Sequence, residues 1–281
     1  MLSIVLLLWG SSFALLKLGL EEISPINLAF LRFLIAVPFF FLYAYSKDKQ
    51  ILDKSIFRDW KILMMLGLTG VTLYHTFQNV GLQFTTASNS SLIISANPIF
   101  IVLLDHFYMN VKITRKRILG IVLSLVGLIV VMGPLRLIFS PTSVIGDLLS
   151  LGAALSWAFY SVFGKKVVSK YGAQRTTLFS MIFGTLFLFP ILLFTEQPAL
   201  PTSMWLWFLL LILSLLCSGM AYLIWYKVIG EVSATEAGVF LFFLPVISIL
   251  FAKLILMESI DAFFVLGASL IMLGVIVTER G

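Results

Sequence analysis

Almost the whole chain divides into apolar runs, each about as long as the roughly 20 helical residues that cross the hydrocarbon core of a bilayer. Ten can be marked, the first five being Leu2–Leu20, Pro25–Tyr45, Trp60–Leu82, Ala87–Phe107 and Arg117–Met132. The other five are Gly146–Val167, Thr176–Phe194, Met204–Tyr226, Ala234–Met257 and Ala262–Thr278. The connections are short, so no stretch remains for a soluble domain. Charge makes the same point. Charged residues are 11% of the chain and hydrophobic ones 60%, whereas a soluble domain carries about 25% charged residues. So little charge leaves a water-facing surface uncovered. The expected fold is an all-α membrane protein, and any function is carried out within the bilayer.

Several classes drop out. The single Cys217 gives no disulfide framework. His75 and His106 are far apart in sequence, and no metal-ligand spacing or cofactor motif occurs. There is no G-x-x-x-x-G-K-[ST] run, so this chain does not itself drive ATP-powered pumping. The first apolar run has no basic segment before it and no cleavage site, which makes it a span rather than a cleaved signal peptide.

With the N-terminus placed in the cytoplasm, the loops on that side hold 15 Lys and Arg and the opposite ends hold three, Lys17, Arg136 and Lys253. Arg32 lies inside a span. Short cytoplasmic loops collect basic residues, so both termini are expected in the cytoplasm and the chain in the cell membrane. The net charge of +6 follows from that topology. The scattered cations form no continuous face for nucleic acid.

The sequence repeats. A shift of 147 superposes Trp60 on Trp207, Ala87 on Ala234, Pro98 on Pro245, Gly120 on Gly267 and Gly127 on Gly274. A shift of 148 superposes Trp9 on Trp157 and Lys17 on Lys165. The expected units are a first five-helix repeat over 1–133, an extracytoplasmic linker over 134–144 and a second repeat over 145–281. Five is odd, so the second repeat enters the membrane from the opposite side. Inverted repeats place a binding site near the midplane where the halves meet.

Polar and aromatic residues inside the spans mark candidates for that site. His75, Gln78 and Asn79 share one helix face by their i, i+3, i+4 spacing. The repeat carries them to Tyr222, Trp225 and Tyr226. An ionisable group in mid-membrane is a functional candidate by default; the plainer reading is a buried histidine bonded to the next helix. Trp9, Trp157 and Tyr160 lie away from span ends and form either cavity walls or ordinary core. In the fourth span Ser88, Ser91 and Ser95 make a narrow stripe, either a packing seam or a cavity lining. Asn89 and Asn97 point away from it, and Asn89 is a candidate contact. Pro98 and Pro245 are expected to kink their spans and act as hinges. Arg32 either snorkels or bonds helix-end carbonyls, its commoner use, or receives a substrate carboxylate. The paired glycines of the fifth and tenth spans read as packing faces.

"LLLWGSSFALLKLGL", "LAFLRFLIA", "FQNVGLQFTTASNSSLIISANPIF" and "GIVLSLVGLIVV" resemble the first half of EamA-type members of the drug/metabolite transporter superfamily. "GDLLSLGAALSWAFYSVFGKK", "VSATEAGVFLFFLPVISIL" and "LGASLIMLGVIV" resemble the second half. The resemblance implies ten transmembrane helices in two inverted repeats, a central cavity with alternating access, and movement of small metabolites, often export of amino acids. The chain departs from the family where Glu258 aligns with Val111, since an acidic residue is usual near the end of the fourth span. The expectation is a secondary transporter, an exporter of small polar or amphipathic metabolites, whose partners are that solute and the lipid bilayer. The sequence leaves the oligomeric state open, and a monomer is compatible with it. The alternatives are a lipid flippase and, with no nucleophile, base or metal cluster in view, a membrane-embedded enzyme.

Overall fold

The computed structural model describes residues 1–110, 112–132, 141–256 and 262–279, which are helical apart from short connections. Val111, Arg136, residues 134–140 of the expected linker and Glu258 lie outside the described residues, as do the side chains of Ser88 and Asn89.

The helical runs are numbered α1 to α10 in chain order. α1 is Leu2–Gly19 and α2 is Pro25–Lys47. α3 comprises Trp60–Gly67, a π turn at Leu68–Leu73, and Tyr74–Phe84. α4 is Ala87–Ile94 followed by Asn97–Met109, and α5 is Arg115–Met132. α6 and α7 are the two parts of Pro141–Thr195 on either side of Gly172. α8 comprises Met204–Ile212, a π turn at Leu213–Met220, and Ala221–Glu231. α9 joins Ala234–Val239, a 3-10 turn at Phe240–Phe243, and Leu244–Leu256; α10 is Ala262–Glu279.

Among the described residues five helical stretches are long and apolar enough to cross a membrane: Leu2–Gly19, Pro25–Lys47, Val144–Thr195, Met204–Glu231 and Ala234–Ile255. The third of these has 52 residues, about 78 Å of helix at ~1.5 Å per residue, against a hydrocarbon core of ~30 Å. It has to turn, and it does so at Gly172, where φ is 81°. A Cβ there would meet nothing within 4 Å, so the backbone angle alone demands glycine. Lys165, Lys166, Lys170 and Arg175 cluster around this break. Exposure is inverted relative to a soluble protein: Phe194 is 89% exposed and Arg32 only 2%.

The breaks in α4 and α9 each fall just before a proline. Ser95 and Ala96 form the turn before Pro98, which sits in the first turn of Asn97–Met109. Proline lacks a donor and restricts the residue before it, so the start of a new helical segment suits it. The bend therefore lies upstream of Pro98 rather than at it.

Contacts recur with the halves exchanged. The Lys17 ammonium donates to Leu82 O at 2.8 Å and Thr85 O at 3.5 Å, the open carbonyl end of α3. Its repeat partner Lys165 donates to Ile229 O and Val232 O at the end of α8. Glu196, just after α7, accepts from the amides of Ile26 and Asn27 and from Asn27 Nδ2 at the start of α2. At a shift of 148 the same pair is Asp48, just after α2, and Arg175 near the start of α7. Arg175 Nη2 donates to Asp48 Oδ2 at 3.0 Å, and the Gln50 amide followed by Arg175 holds that carboxyl below the usual carboxylate value. α5 and α10 pack the same way. A Cβ on Gly120 would lie 2.6 Å from Gly274 O, and one on Gly127 would lie 2.7 Å from Gly267 O. The two helices therefore run antiparallel, with repeat-related glycines in reciprocal contact.

Because backbone atoms obstruct those glycines, neither helix yields to a side chain. Gly127→Leu is expected to destabilise the protein by about 1–3 kcal/mol or more, the range of an overpacked core. Thermal unfolding in detergent reads this as a lowered midpoint. Gly219→Ala, where the nearest obstructing atom is 3.5 Å away, should change the midpoint little.

Candidate functional site

Side chains bonded to the two π turns, Trp9 and Arg32 to that of α8 and Tyr222 to that of α3, line a small central cavity. α1 contributes Trp9, Ser12 and Phe13; α2 contributes Arg32; α3 contributes Tyr74, His75 and Gln78. Asn97 of α4, Trp157 of α6, Tyr222 of α8, and Leu241 and Leu244 of α9 complete it. Its volume is about 20 Å³, room for about one water molecule.

Its centre is a contact between repeat partners. His75 Nε2 lies 2.9 Å from the Tyr222 hydroxyl, 147 residues away. That hydroxyl also donates to Gly70 O, in the π turn of α3, at 2.8 Å. A tyrosine hydroxyl has one proton. Since Gly70 O takes it, His75 donates from Nε2, and its Nδ1 carries the lone pair. Nδ1 is buried and has no partner. The tautomer is thus assigned by the hydrogen-bond chain. π bulges are frequent at functional sites, and here one supplies the carbonyl that orients the tyrosine.

The aromatic wall is built on the same symmetry but departs from it. Trp9 and Trp157 meet edge to face, with centroids 4.8 Å apart. Trp9 Nε1 donates to Cys217 O in the π turn of α8 at 3.0 Å. The repeat partner of Cys217 is Gly70, so symmetry would pair Trp157 Nε1 with Gly70 O. Tyr222 occupies that oxygen instead, and Trp157 Nε1 is buried without a partner. Gln78 Oε1 and Asn97 Oδ1 are likewise buried and unpaired. A buried polar atom without a partner is rare and costly. Four of them at one small cavity mark a place prepared for something that donates and accepts hydrogen bonds.

Of the residues expected at the site, the structure brings Trp9, His75, Gln78, Trp157 and Tyr222 to the cavity. Tyr160 is fully buried behind Trp157, with centroids 5.0 Å apart, and does not line it. Asn79 turns away: its Nδ2 donates to Pro25 O at 3.1 Å. On an ideal helix Gln78 and Asn79 flank His75 by about 60° on one side and 40° on the other, and the cavity lies on the Gln78 side. The side chain of Asn89 lies outside the described residues. Ser91 and Ser95 are buried away from the lining, with Ser95 bonded back to Ser91 O at 2.6 Å. Arg32 corrects an expectation, because it neither snorkels nor caps a helix. Ser12, Phe13, Tyr74, Leu241 and Leu244 were not anticipated. Ser12 lies three residues after Trp9 on the same face, a readable signal; nothing distinguishes Leu241 or Leu244 from their neighbours.

The ends of the molecule differ. Where α3 approaches the start of α6, a Cβ on Gly146 would lie 2.8 Å from Gly81 O, so the helices touch. Gly81 corresponds to Val228 in the repeat. Val228 instead lines a pocket of about 490 Å³ together with Leu2, Val232 and Arg117. A second pocket, about 440 Å³, lies beside it in the chain's basic end, against Asp105, Lys165 and Lys166. Gly146 has no repeat counterpart within residues 1–281, so the α1–α8 pair holds no matching contact to compare with it.

The family model described as "EamA-like transporter family" matches residues 1–133 and 144–280. An uncharacterized transporter of Archaeoglobus fulgidus is 33% identical, covering 99% of this chain and 96% of its own length. The uncharacterized transporter YoaV of Bacillus subtilis is 30% identical, covering 96% and 92%. A Salmonella typhimurium protein named "Probable amino-acid metabolite efflux pump" is 27% identical, covering 99% and 93%. One solved structure, a crystal structure described only as that of a protein, is 21% identical and superposes with a TM-score of 0.82 over 99% of this chain and 95% of that one. It shares the fold.

The His75 tautomer is open to direct measurement. In a His106→Gln background, ¹⁵N spectra of the remaining imidazole should show a protonated Nε2 and an unprotonated Nδ1 at pH 7.5. Tyr222→Phe should remove this preference and lower stability by about 1–3 kcal/mol, the cost of leaving buried polar partners unpaired. A protonated Nδ1 in the unmodified site would contradict the hydrogen-bond chain.

Proposed function

Since the chain belongs to the EamA-like transporter family, we propose that it is a secondary transporter, moving small polar or amphipathic metabolites by alternating access through the cavity at His75 and Tyr222. One observation carries this reading: repeat partners meet at a buried cavity lined by polar groups without partners. In an inverted repeat, exchanging the conformations of the two halves would exchange the closed and open ends.

On this reading all ten helical runs cross the cell membrane as two inverted five-helix units, 1–133 and 145–281, joined by a linker outside the cytoplasm. The antiparallel glycine contact of α5 with α10 supports the inversion. Both termini lie in the cytoplasm, and the wide pockets near Arg117 and Lys165 open to that side. The described conformation is then inward-facing, with the site itself collapsed. Pro98 and Pro245, each just beyond a break, are the proposed hinges. Export is the proposed direction, and amino acids and related compounds are the proposed cargo, in line with the name given to the Salmonella relative. Among the described residues no carboxylate lines the cavity, which favours a facilitator or exchanger over a carboxylate-based proton relay.

The test is uptake into proteoliposomes from a mixed pool of labelled amino acids and small metabolites, comparing wild type with Trp157→Ala. Some compounds are expected to enter only with the wild type. If none enters faster than into empty liposomes, with the protein shown to be folded, the transport reading fails, and lipid scrambling in the same vesicles becomes the test of the flippase alternative.

A further inference from the structure

Among the described residues Arg32 is the one charged side chain at the cavity. It lies within α2 and is 2% exposed. Its Nε donates to Ser218 Oγ in the π turn of α8 at 2.5 Å, and its guanidinium carbon is 5.7 Å from the centre of the Phe33 ring. Among the described residues no Asp or Glu forms an ion pair with it, and no hydrogen bond engages its two terminal nitrogens. A buried guanidinium stays charged, and burying a charge without a counter-ion is costly. The fold does not demand that cost. At a shift of 148 the equivalent of Arg32 is Ser180, which is fully buried and satisfied by the carbonyls of Thr176 and Thr177. A serine serves at this position in one half, and only the other half carries the cation.

We propose that the terminal guanidinium nitrogens of Arg32 bind the carboxylate of a monoanionic solute, so that the cargo is a monocarboxylate taken in preference to the zwitterionic amino acid of the same shape. The Ser218 hydroxyl holds Nε and turns the free edge of the fork to the cavity, where a carboxylate can accept two parallel hydrogen bonds. The rest of the lining is neutral. His75 offers a lone pair at Nδ1, and Gln78 and Asn97 offer amide oxygens without partners. These accept a hydrogen bond from a hydroxyl as readily as from an amine, and none compensates the charge of an ammonium. A monoanion on Arg32 neutralises the cavity, whereas a zwitterion leaves it with a net positive charge. Trp9 and Trp157 present an apolar wall to the rest of the solute. The cavity must widen to admit it. This assignment of substrate class rests on reading the cavity as the transport site.

Trp9, Trp157 and Trp225 lie within 5.8 Å of one another, so tryptophan emission from purified protein in detergent reports binding without transport. The probes are 3-phenyllactate, phenylalanine and 2-phenylethanol, with lactate as a smaller monocarboxylate. Phenyllactate is expected to give a saturable change at about ten-fold lower concentration than phenylethanol, which lacks the charge-assisted hydrogen bond, and at lower concentration than phenylalanine, whose ammonium finds no counter-charge in the cavity. Arg32→Gln should abolish that preference or turn it toward the zwitterion and the alcohol, and Arg32→Lys should retain part of it, as a point charge without the fork. Since Arg32→Gln removes an unpaired buried charge, the variant is expected to fold. If it does not, the ligand series on wild type and Arg32→Lys decides. The proposal is overturned if phenylalanine or phenylethanol binds as tightly as phenyllactate, if Arg32→Gln keeps the preference, or if neither phenyllactate nor lactate binds. Carboxylate binding with no flux in vesicles would overturn the transport reading and leave the subsite standing. Flux of other solutes with no carboxylate preference would do the reverse.

Discussion

The ends of a helix leave open carbonyls and amides that need partners where packing keeps water from them, and side chains of distant helices supply those partners here. Lys17 closes the end of α3 and Lys165 the end of α8. Glu196 covers the first amides of α2, and Asp105 accepts from the Thr235 amide and hydroxyl at the start of α9. Each bond ties an end of one helix to another helix, so the need to satisfy the backbone also fixes how the helices stand around the cavity. Since apolar side chains gain little by leaving lipid for protein, close packing takes over the remaining work. The glycines of α5 and α10, where backbones touch, are the clearest instance.

The exchange of contacts between halves is close, and several of its exceptions lie at the cavity. Lys17 and Lys165, Asn27–Glu196 and Arg175–Asp48, and the paired glycines all obey it. At the centre, His75 faces Tyr222, Trp157 lacks the carbonyl that Trp9 has, and Arg32 stands opposite Ser180 in the repeat. A symmetric scaffold can alternate between two faces, while an asymmetric lining recognises a solute that has no symmetry itself. Four of the buried polar atoms without a partner among the described residues belong to this lining.

Much of this was legible in the sequence because the bilayer imposes simple patterns. The apolar runs, the repeat and the central placement of Trp9, His75, Gln78, Trp157 and Tyr222 all follow from composition, spacing and the 147-residue shift. What escaped was local. A π turn has no residue signature, so neither the widening of α3 and α8 nor the exposure of Gly70 O could be foreseen. His75, Gln78 and Asn79 share a face, but which flank meets the cavity depends on where α2 packs, and Asn79 ended on Pro25 O. Pro98 announced a break whose position, at Ser95 and Ala96, follows from proline's effect on the residues before it. Arg32 was visible as an anomaly; its inward aim depends on Ser218, 186 residues away.

The central claim is that the two ends of the molecule open alternately. Spin labels at Phe84 and Leu151 report one end, and labels at Ile4 and Glu231, one repeat away, report the other; these are exposed positions. Double electron–electron resonance in nanodiscs should show two populations for each pair, with solute shifting them in opposite directions, one distance shortening as the other lengthens. Single, unchanging distances at both ends, in protein that binds and moves its solute, would contradict alternating access between these halves.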